Sequence, residues 1–197
     1  DKLPELEIDL MNALGNAHNR HQQFQEALEC FERALHLAQE DDPRVLNLAN
    51  NKAVALQYLE RYEEARASYR QVLSEAAHST HPYLATIELN YGSLLISLKE
   101  NDQALRILNL AKPKLESQLG AKHPTIATLH CARARLFQGL GKFADANQEL
   151  QRAIEIRKAK LGPRHPLVEV TILSIADNSI QMAREESIPK NAQFYYK

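Results

Sequence analysis

Two histidines and a cysteine lie close together in the stretch AKHPTIATLHC, residues 121–131. Imidazole nitrogens and thiolate sulfurs are preferred zinc ligands, so the stretch could form a metal site. However, His123 and His130 are seven residues apart, which separates their Cα atoms by about 10 Å along a helix. His18 and His21 have a favourable spacing but no third or fourth ligand at a matching position. We therefore predict no metal and no other cofactor.

Catalytic motifs are also missing from the sequence. Cys131 directly follows His130, and consecutive helical residues point in different directions, so the two do not have the geometry of a nucleophile and its base. The sequence contains no HExxH, GxSxG, glycine-rich phosphate loop or paired catalytic carboxylates. The stretch GLGKF at 139–143 has no strand before it and is expected to be a turn between helices. We predict that the chain is not an enzyme.

The His-Pro dipeptide occurs three times in similar surroundings, in THPYLATIE, KHPTIATLH and RHPLVEVTI. Prolines occupy positions 4, 43, 82, 124 and 166, with spacings of 39, 39, 42 and 42 residues. An alanine follows each of the first four prolines by 22 or 23 residues, at Ala27, Ala65, Ala104 and Ala146. Self-similarity at such a period indicates a repeat architecture. The recurring histidine is therefore interpreted as an architectural feature.

Each repeat is predicted to contain a helix, a turn and a second helix. Proline is favoured at the first helical position, which places His81, His123 and His165 at the N-cap before it. Pro113 is expected to interrupt its helix and to make the third repeat the most irregular. The first helices are predicted at 4–21, 43–60, 82–99, 124–140 and 166–184, and the second helices at 23–40, 62–78, 101–119 and 143–161.

Small residues mark the positions where the two helices of a pair approach closely. The alanines of the second helices are expected to face Gly15, Ala53, Gly92 and Ala134. Such a pair cannot bury its apolar face alone, so we expect an all-α solenoid of four stacked pairs. The predicted organisation is one domain over 1–184, with repeats at 4–41, 43–80, 82–122 and 124–164, a capping helix at 166–184 and a tail at 185–197.

The second helices FQEALECFERAL, YEEARASYRQVL and FADANQELQRAI resemble those of tetratricopeptide repeats. The 42-residue period, the linkers LGAKHP and LGPRHP, and the pair Asn50-Asn51 resemble the kinesin-light-chain variety. The resemblance implies a right-handed α-solenoid whose first helices line a concave groove. A HEAT or armadillo array of similar period is the alternative fold. Lys52 and Arg133 depart from the family pattern, which usually has an apolar residue there.

The groove positions implied by this resemblance are mostly polar. Asparagine amides can bond both the N–H and the C=O of an extended peptide, although any one of them could instead be a solvated surface residue. Arg20 and Arg135 could select acidic groups, and Leu89 and Ile96 could accept an apolar anchor. The predicted peptide-binding residues are Asn12, Asn16, Asn19, Arg20, Asn47, Asn50, Gln57, Tyr58, Leu89, Ser93, Ile96, Arg135 and Gln138.

Composition narrows the choice of partner and compartment. The 197 residues are 25% charged with a formal net charge of -1, which is not typical of a nucleic-acid or anionic-membrane binder. No stretch reaches the roughly 20 apolar residues of a membrane span. Cys30 and Cys131 lie outside any CxxC motif, which indicates free thiols in a reducing compartment. We therefore predict a cytoplasmic protein.

The predicted function is that of an adaptor or scaffold that binds a short linear segment of a protein partner. The alternative is a regulatory or sensor module excised from a larger signalling or transcriptional regulator, and a start without Met is consistent with a fragment. The aromatic tail NAQFYYK is a further candidate for occupying a groove, either its own or that of a neighbouring molecule. A packed or disordered chain end is the other interpretation of the tail.

Overall fold

The computed structural model describes residues 3–39, 42–76, 81 and 83–187, the last three by their backbone alone. These residues form nine α-helices and no strand, which confirms the all-α prediction. No helix among them is both long and apolar enough to cross a membrane. The helices are α1 (Leu3–Arg20), α2 (Phe24–Leu37), α3 (Val45–Tyr58), α4 (Tyr62–Glu75), α5 (Leu84–Ser97), α6 (Asn101–Leu119), α7 (Pro124–Gly139), α8 (Phe143–Leu161) and α9 (Pro166–Ser187).

The helices belong to two compact units, Asp1–Leu98 and Lys99–Lys197. In the first unit α1 packs on α2, α2 on α3, α3 on α4, and α4 on α5. In the second unit α6 packs on α7, α7 on α8, and α8 on α9. Each helix therefore packs on the next within its unit, as expected for stacked helix pairs. The boundary between the units falls inside the third predicted repeat.

The alanines recur at a regular spacing along this chain because they lie where neighbouring helices pack closely. Ala27, Ala65 and Ala104 are completely buried, as is the fourth alanine of the series. Gly15 shows how close the paired helices lie, because a Cβ atom there would be 2.6 Å from Cε1 of Phe31. The Phe31 side chain is itself fully buried and has little room to move. The absence of a side chain at Gly15 thus allows close approach of the two helices, but the residue nearest to it is Phe31 and not the predicted Ala27.

The histidines before the prolines cap their helices. The backbone N–H of Thr125 donates to Nδ1 of His123 at 3.2 Å. Nδ1 of His81 and Nδ1 of His165 each accept the same bond, from the backbone N–H two residues later, also at 3.2 Å. The predicted N-cap position is confirmed for His123 and His165, but it was wrong for His81, because α5 begins at Leu84 and its N-cap residue is Tyr83. An unprotonated imidazole nitrogen takes the acceptor role that Ser, Thr or Asp oxygens usually have.

Proline marks the start of α7 and of the capping helix α9, whereas α3 and α5 each begin two residues later than predicted. α7 begins at Pro124 and α9 at Pro166, as predicted. α3 begins two residues after Pro43, so that predicted start was wrong. The Asp42 carboxylate accepts the backbone N–H of Arg44 at 2.8 Å, and this side-chain turn delays the helix. α2 and α4 each end three residues earlier than predicted.

The expected interruption at Pro113 was also wrong, because α6 is continuous through it. Proline removes one backbone N–H donor and normally kinks a helix. Pro113 lies on the exposed side of α6, whereas Ala111 and Leu115 on either side of it are fully buried. Burial of that apolar face offsets the lost hydrogen bond.

A left-handed residue closes the turn between the first and second helix of every repeat. Gln22, Glu60 and Lys99 have φ values of 61°, 59° and 61°, and Gly141 has a φ of 69°. Only the last is the residue type that adopts this conformation without strain. The stretch GLGKF is the turn between α7 and α8, as expected.

Helix α9 packs on the second unit but leaves apolar side chains on its outer face. Val168 is fully buried, and Arg157 Nη1 donates to the carbonyl oxygen of Leu167 at 3.0 Å. Leu173 and Ile180, by contrast, are 62% and 50% exposed. The helix continues three residues into the predicted tail, and residues 188–197 lie outside the described part of the chain.

Candidate functional site

Asparagine side chains link the first helices of the first unit. Asn51 on α3 is the centre of this network, because its Nδ2 lies 2.9 Å from Asn47 Oδ1 and 3.3 Å from Oδ1 of both Asn12 and Asn16 on α1. Nδ2 of Asn16 also donates to Asn12 Oδ1 at 3.2 Å. Four amides from two helices therefore hold one another in fixed orientations.

The network reaches α5 through a buried residue. Asn50 Nδ2 donates to Asn51 Oδ1 at 3.2 Å, and Asn90 Nδ2 donates to Asn50 Oδ1 at 2.8 Å. Only 3% of Asn50 is exposed, and both of its polar side-chain atoms are bonded. Its predicted surface position was wrong, since its side chain lies between the first helices and links α3 to α5.

Asn51 and Asn90 were not among the predicted site residues. A signal for them exists in the sequence, because Asn12, Asn51 and Asn90 recur at the 39-residue spacing of the first prolines. The predicted residues Asn12 and Asn50 are 38 residues apart, one short of this spacing, which obscured the recurrence. An amide at the same position of three stacked helices produces a ladder.

The network leaves polar groups unused at its edges. Among the described residues, Nδ2 of Asn12 and Nδ2 of Asn47 donate no hydrogen bond, and Oδ1 of Asn90 accepts none. Asn19 Oδ1 also lacks a hydrogen-bond partner among the described residues, but it is buried and therefore not among the groups that a ligand can reach. These donors and acceptors match the C=O and N–H groups of a peptide backbone.

Tyr58, the predicted aromatic residue of the site, packs on another ring and is still exposed to solvent. Tyr58 stacks on Phe24, with ring centroids 4.5 Å apart and planes 7° from parallel. Tyr58 is nevertheless 63% exposed. Gln57 beside it is half-buried, and Arg20 at the end of α1 is exposed. Tyr58 thus presents a fixed aromatic surface next to polar side chains.

The predicted apolar anchor point is only partly available. Leu89 is 2% exposed and lies in the core, so it cannot accept a ligand side chain as expected. Ile96 and Ser93 are half-buried, and Ser93 Oγ donates to the carbonyl oxygen of Leu89 at 3.1 Å. The apolar side chain on α5 that a ligand can still reach is therefore Ile96.

The two predicted residues of the second unit have different environments. Arg135 is exposed and forms no ion pair with any described residue. Gln138 Nε2 donates to Asn178 Oδ1 at 2.8 Å, and Asn178 Nδ2 donates to Asn147 Oδ1 at 2.7 Å. Gln138 thus helps to hold α7, α8 and α9 together, whereas Arg135 is available to an anion.

Lys52 and Arg133, the two residues that depart from the family pattern, each form an ion pair with a neighbouring helix. Lys52 Nζ on α3 lies 3.0 Å from Glu32 Oε1 on α2. Arg133 Nε on α7 lies 3.2 Å from Glu149 Oε1 on α8. Charged residues are accommodated at these positions because an acidic partner on the adjacent helix accompanies each of them.

Neither thiol is activated. Cys30 and Cys131 are free and half-buried. Burial raises the pKa of both thiols, with the charge of Glu29 raising that of Cys30 further and Arg157 and Arg135 partly opposing the shift at Cys131. A raised pKa lowers the thiolate fraction and with it the nucleophilicity. Within the described residues, no group of three or more His, Cys, Asp or Glu side chains is placed to hold a metal ion.

Known proteins resemble the chain in sequence and fold. A protein from Arabidopsis thaliana described as kinesin light chain-related 3 is 24% identical over 153 residues, which is 75% of this chain and 24% of that protein. The chain thus spans about a quarter of that relative. The structure of BtubC (BKLC) from P. vanneervenii has a TM-score of 0.75 at 18% identity, covering 89% of this chain and 73% of that one.

A second solved structure has the same fold. It is a putative kinesin light chain with nearly identical TPR-like repeats from Podosopora anserina, with a TM-score of 0.72 at 18% identity, covering 94% of this chain and 90% of that one. The sequence profile of the family described as tetratricopeptide repeat matches residues 6–74 and 83–159. These repeats form non-catalytic scaffolds that bind protein partners. The chain belongs to the tetratricopeptide repeat family, and the two solved structures named above are kinesin-light-chain-like members of it.

Proposed function

We propose that the chain is a cytoplasmic adaptor module that binds a short extended peptide segment of a partner protein. The proposed site in the first unit is the asparagine surface, defined as Asn12, Asn16, Asn47, Asn51 and Asn90. The observation that carries the proposal is the set of unused amide groups at the edges of this network. They offer both donors and acceptors, as a peptide backbone requires.

The asparagine surface is suited to a backbone because its amides are already ordered. Asn51 fixes the side chains of Asn12, Asn16 and Asn47 through bonds of 2.9 to 3.3 Å. A ligand therefore does not have to immobilise these side chains, which reduces the entropic cost of binding. Contacts to backbone groups place little demand on the peptide sequence, so selectivity has to come from other residues.

Three accessible side chains could supply that selectivity. Arg20 in the first unit and Arg135 in the second are exposed cations that can pair with acidic side chains. Tyr58 offers an exposed ring held by its stacking on Phe24. In the first unit, a peptide with an acidic residue and an apolar or aromatic residue fits Arg20 and Tyr58, whereas Arg135 could pair with an acidic group at a separate site on the second unit.

A regulatory or sensor module is the second candidate function. The observation that favours it is the coverage of the Arabidopsis relative, of which this chain matches 24%. In a longer protein, a module of that size can bind a peptide and transmit this binding event to the other domains. Its peptide site would be the same asparagine surface, so one binding experiment tests the site under either role.

The experiment is capture of partners from cytosolic extract, followed by mapping of the bound segment with overlapping peptides. The test variant of the first unit is Asn12→Ala with Asn47→Ala, which removes the two amide donors that bond to no described residue. Its matched control, Gln25→Ala with Gln71→Ala, removes two exposed amides from the second helices α2 and α4. Arg135→Ala tests the second unit.

We expect the asparagine variant to weaken binding of the mapped peptide about tenfold or more, because two hydrogen-bonding amides are lost from the site. The glutamine control should bind as the wild type does. Equal binding by wild type and asparagine variant, with both chains folded by circular dichroism, would refute the proposed site. Loss of binding in Arg135→Ala alone would place the peptide site on the second unit.

A further inference from the structure

A cleft in the second unit is lined by none of the residues of the asparagine surface. It has a volume of about 520 Å³ and is lined by α6, α7, α8 and the turn that follows α6. Residues of α7 and α8 form its buried wall, because His130 is 4% and Ile156 is 8% exposed. Lys122 and Arg152 stand at its accessible side. The proposed peptide function makes no use of this cleft.

A buried pair of titratable groups lies at the cleft wall. His130 Nδ1 is 2.6 Å from Glu149 Oε2, and both residues are 4% exposed. Arg133 Nε and Arg152 Nη1 lie 3.2 and 3.3 Å from the other carboxylate oxygen. An ionised carboxylate only accepts hydrogen bonds, so Nδ1 of His130 carries the proton and donates.

The second ring nitrogen of His130 is therefore the one whose state can change. Its Nε2 makes no hydrogen bond with any described residue, although the histidine lines the cleft. In the neutral ring Nε2 is an acceptor and repels an anion. In the imidazolium ring it is a donor and attracts one.

The charged side chains that line the cleft favour a ligand with a single negative charge. Three cations, Lys112, Lys122 and Arg152, line it together with two carboxylates, Glu116 and Glu155. Lys112 Nζ and Glu116 Oε1 are 3.8 Å apart and partly neutralise each other. One positive charge is left over before His130 is counted. The two carboxylates disfavour a doubly charged ligand such as a phosphate.

The remaining wall is apolar. Ala121, Ile156 and Ala159 line the cleft beside the charged side chains. An anion without an apolar part would leave this wall in contact with water, whereas an aliphatic group would cover it. The lining thus matches a ligand with one charged end and one aliphatic end.

We propose that this cleft binds an aliphatic monocarboxylate, with Lys122, Arg152 and His130 Nε2–H around the carboxylate and Ile156 against the aliphatic group. Two sources share this chemistry, namely a small free carboxylic acid and the C-terminal carboxylate of a peptide with an apolar last residue. Binding takes up a proton on His130, because only the imidazolium form donates from Nε2.

Proton uptake makes binding pH-dependent. The charged groups that face His130 are Lys112 and Glu116 on α6, Lys122 in the turn, Arg133 on α7, and Glu149, Arg152 and Glu155 on α8. Histidine is the one among these residue types that ordinarily changes charge between about pH 5 and 8. Affinity for the carboxylate therefore rises as pH falls through that range.

The experiment is calorimetric titration of the full chain with two acids and their neutral counterparts. The small probe is hexanoate, compared with hexanamide. The peptide probe is acetyl-Gly-Ala-Leu with a free C-terminus, compared with the same peptide amidated. We expect at least one acid to bind about tenfold or more tightly than its amide near pH 6. The acid that binds more tightly identifies the source of the carboxylate.

Proton uptake is measured by repeating the titration in two buffers with different ionisation enthalpies. We expect the apparent enthalpy to differ between the buffers in the wild type and to become equal in His130→Asn, which keeps a donor near Glu149 and cannot gain a proton. Lys122→Gln should weaken binding about fivefold, whereas the control Lys142→Gln, in the exposed turn between α7 and α8, should not.

Equal binding of acid and amide, or no binding of either acid, would overturn the proposal. So would a wild-type enthalpy that is the same in both buffers. If His130→Asn does not fold, the wild-type buffer comparison and the Lys122→Gln variant still decide the question, since neither depends on that substitution.

Discussion

The side-chain amide of Asn90 donates a 2.8 Å hydrogen bond to Oδ1 of Asn50 and joins α5 to α3. Asn50 is almost wholly buried, and its own amide continues the chain of bonds to Asn51. Asn47, on the same helix, is half-buried and keeps a free donor. Substitution of Asn50 therefore tests stability, whereas substitution of Asn47 tests ligand binding.

Asn50→Ala should destabilise the protein by about 2 kcal/mol, because it leaves the amide of Asn90 and the oxygen of Asn51 without their partner. The measurement is the free energy of unfolding in urea, with the slope of the transition compared between variants. Gln103→Ala, which removes an exposed amide from α6, should change the free energy by no more than about 0.5 kcal/mol. Equal stability of the two variants would mean that the buried amides contribute nothing.

His123→Ala should cost about 1 kcal/mol of stability, because the N–H of Thr125 loses its acceptor at the start of α7. His123→Ser should retain most of that stability, since a hydroxyl oxygen can accept the same bond. The thermal midpoint of each variant measures the effect. His21→Ala, an exposed histidine in the turn after α1, is the control and should not differ from wild type. A serine variant as unstable as the alanine variant would contradict the capping role.

Gly141→Ala should destabilise the chain by about 1 kcal/mol, because its φ of 69° is strained for any residue with a Cβ atom. Gly139→Ala, at the end of α7 with no atom within 4 Å of the added Cβ, should be neutral or slightly stabilising. Chemical denaturation of the two variants side by side measures this difference. Loss of the same stability in both would contradict the role of the left-handed backbone at Gly141, since an added Cβ atom has room at both positions.

Glu149→Gln should destabilise the second unit by about 2 kcal/mol near neutral pH, because it removes the buried negative charge that balances Arg133 and Arg152. Burial by itself raises the pKa of this carboxyl, but the hydrogen bond from His130 and the charge of Arg133 outweigh it and hold the pKa below its ordinary value. A carboxyl of this kind stabilises the fold above its unfolded pKa, and that stabilisation is lost as pH falls through the folded pKa.

The difference between wild type and Glu149→Gln should therefore be largest at neutral pH and shrink below about pH 4.3, the ordinary value for glutamate. Urea unfolding at a series of pH values measures it. Arg133 and Arg152, which face the carboxylate, are positively charged throughout this pH range and lose their counter-charge when it is protonated. A difference that stays constant with pH would show that the carboxylate is not ionised in the folded chain.

The sequence alone determined the helix pairs. Pro124 and Pro166 begin helices because proline suits the first helical position whatever surrounds it. Ala27 and Ala65 lie at buried helix contacts because only small side chains permit that approach. These signals depend on a few neighbouring residues and recur with the period of the repeats, so the helix pairs could be predicted from them. The histidine caps are of the same local kind.

The tertiary structure alone decided which face each of these helices presents. A first helix in a stack is packed on several sides, so helical periodicity does not separate buried Asn50 and Leu89 from half-buried Asn51. One position along the helix, a rotation of about 100°, separates the buried amide of Asn50 from that of Asn51 on the proposed binding surface. Likewise His130 meets Glu149 only because α7 packs on α8. Such contacts depend on how helices distant in sequence are rotated against each other, and no local pattern in the sequence encodes that rotation.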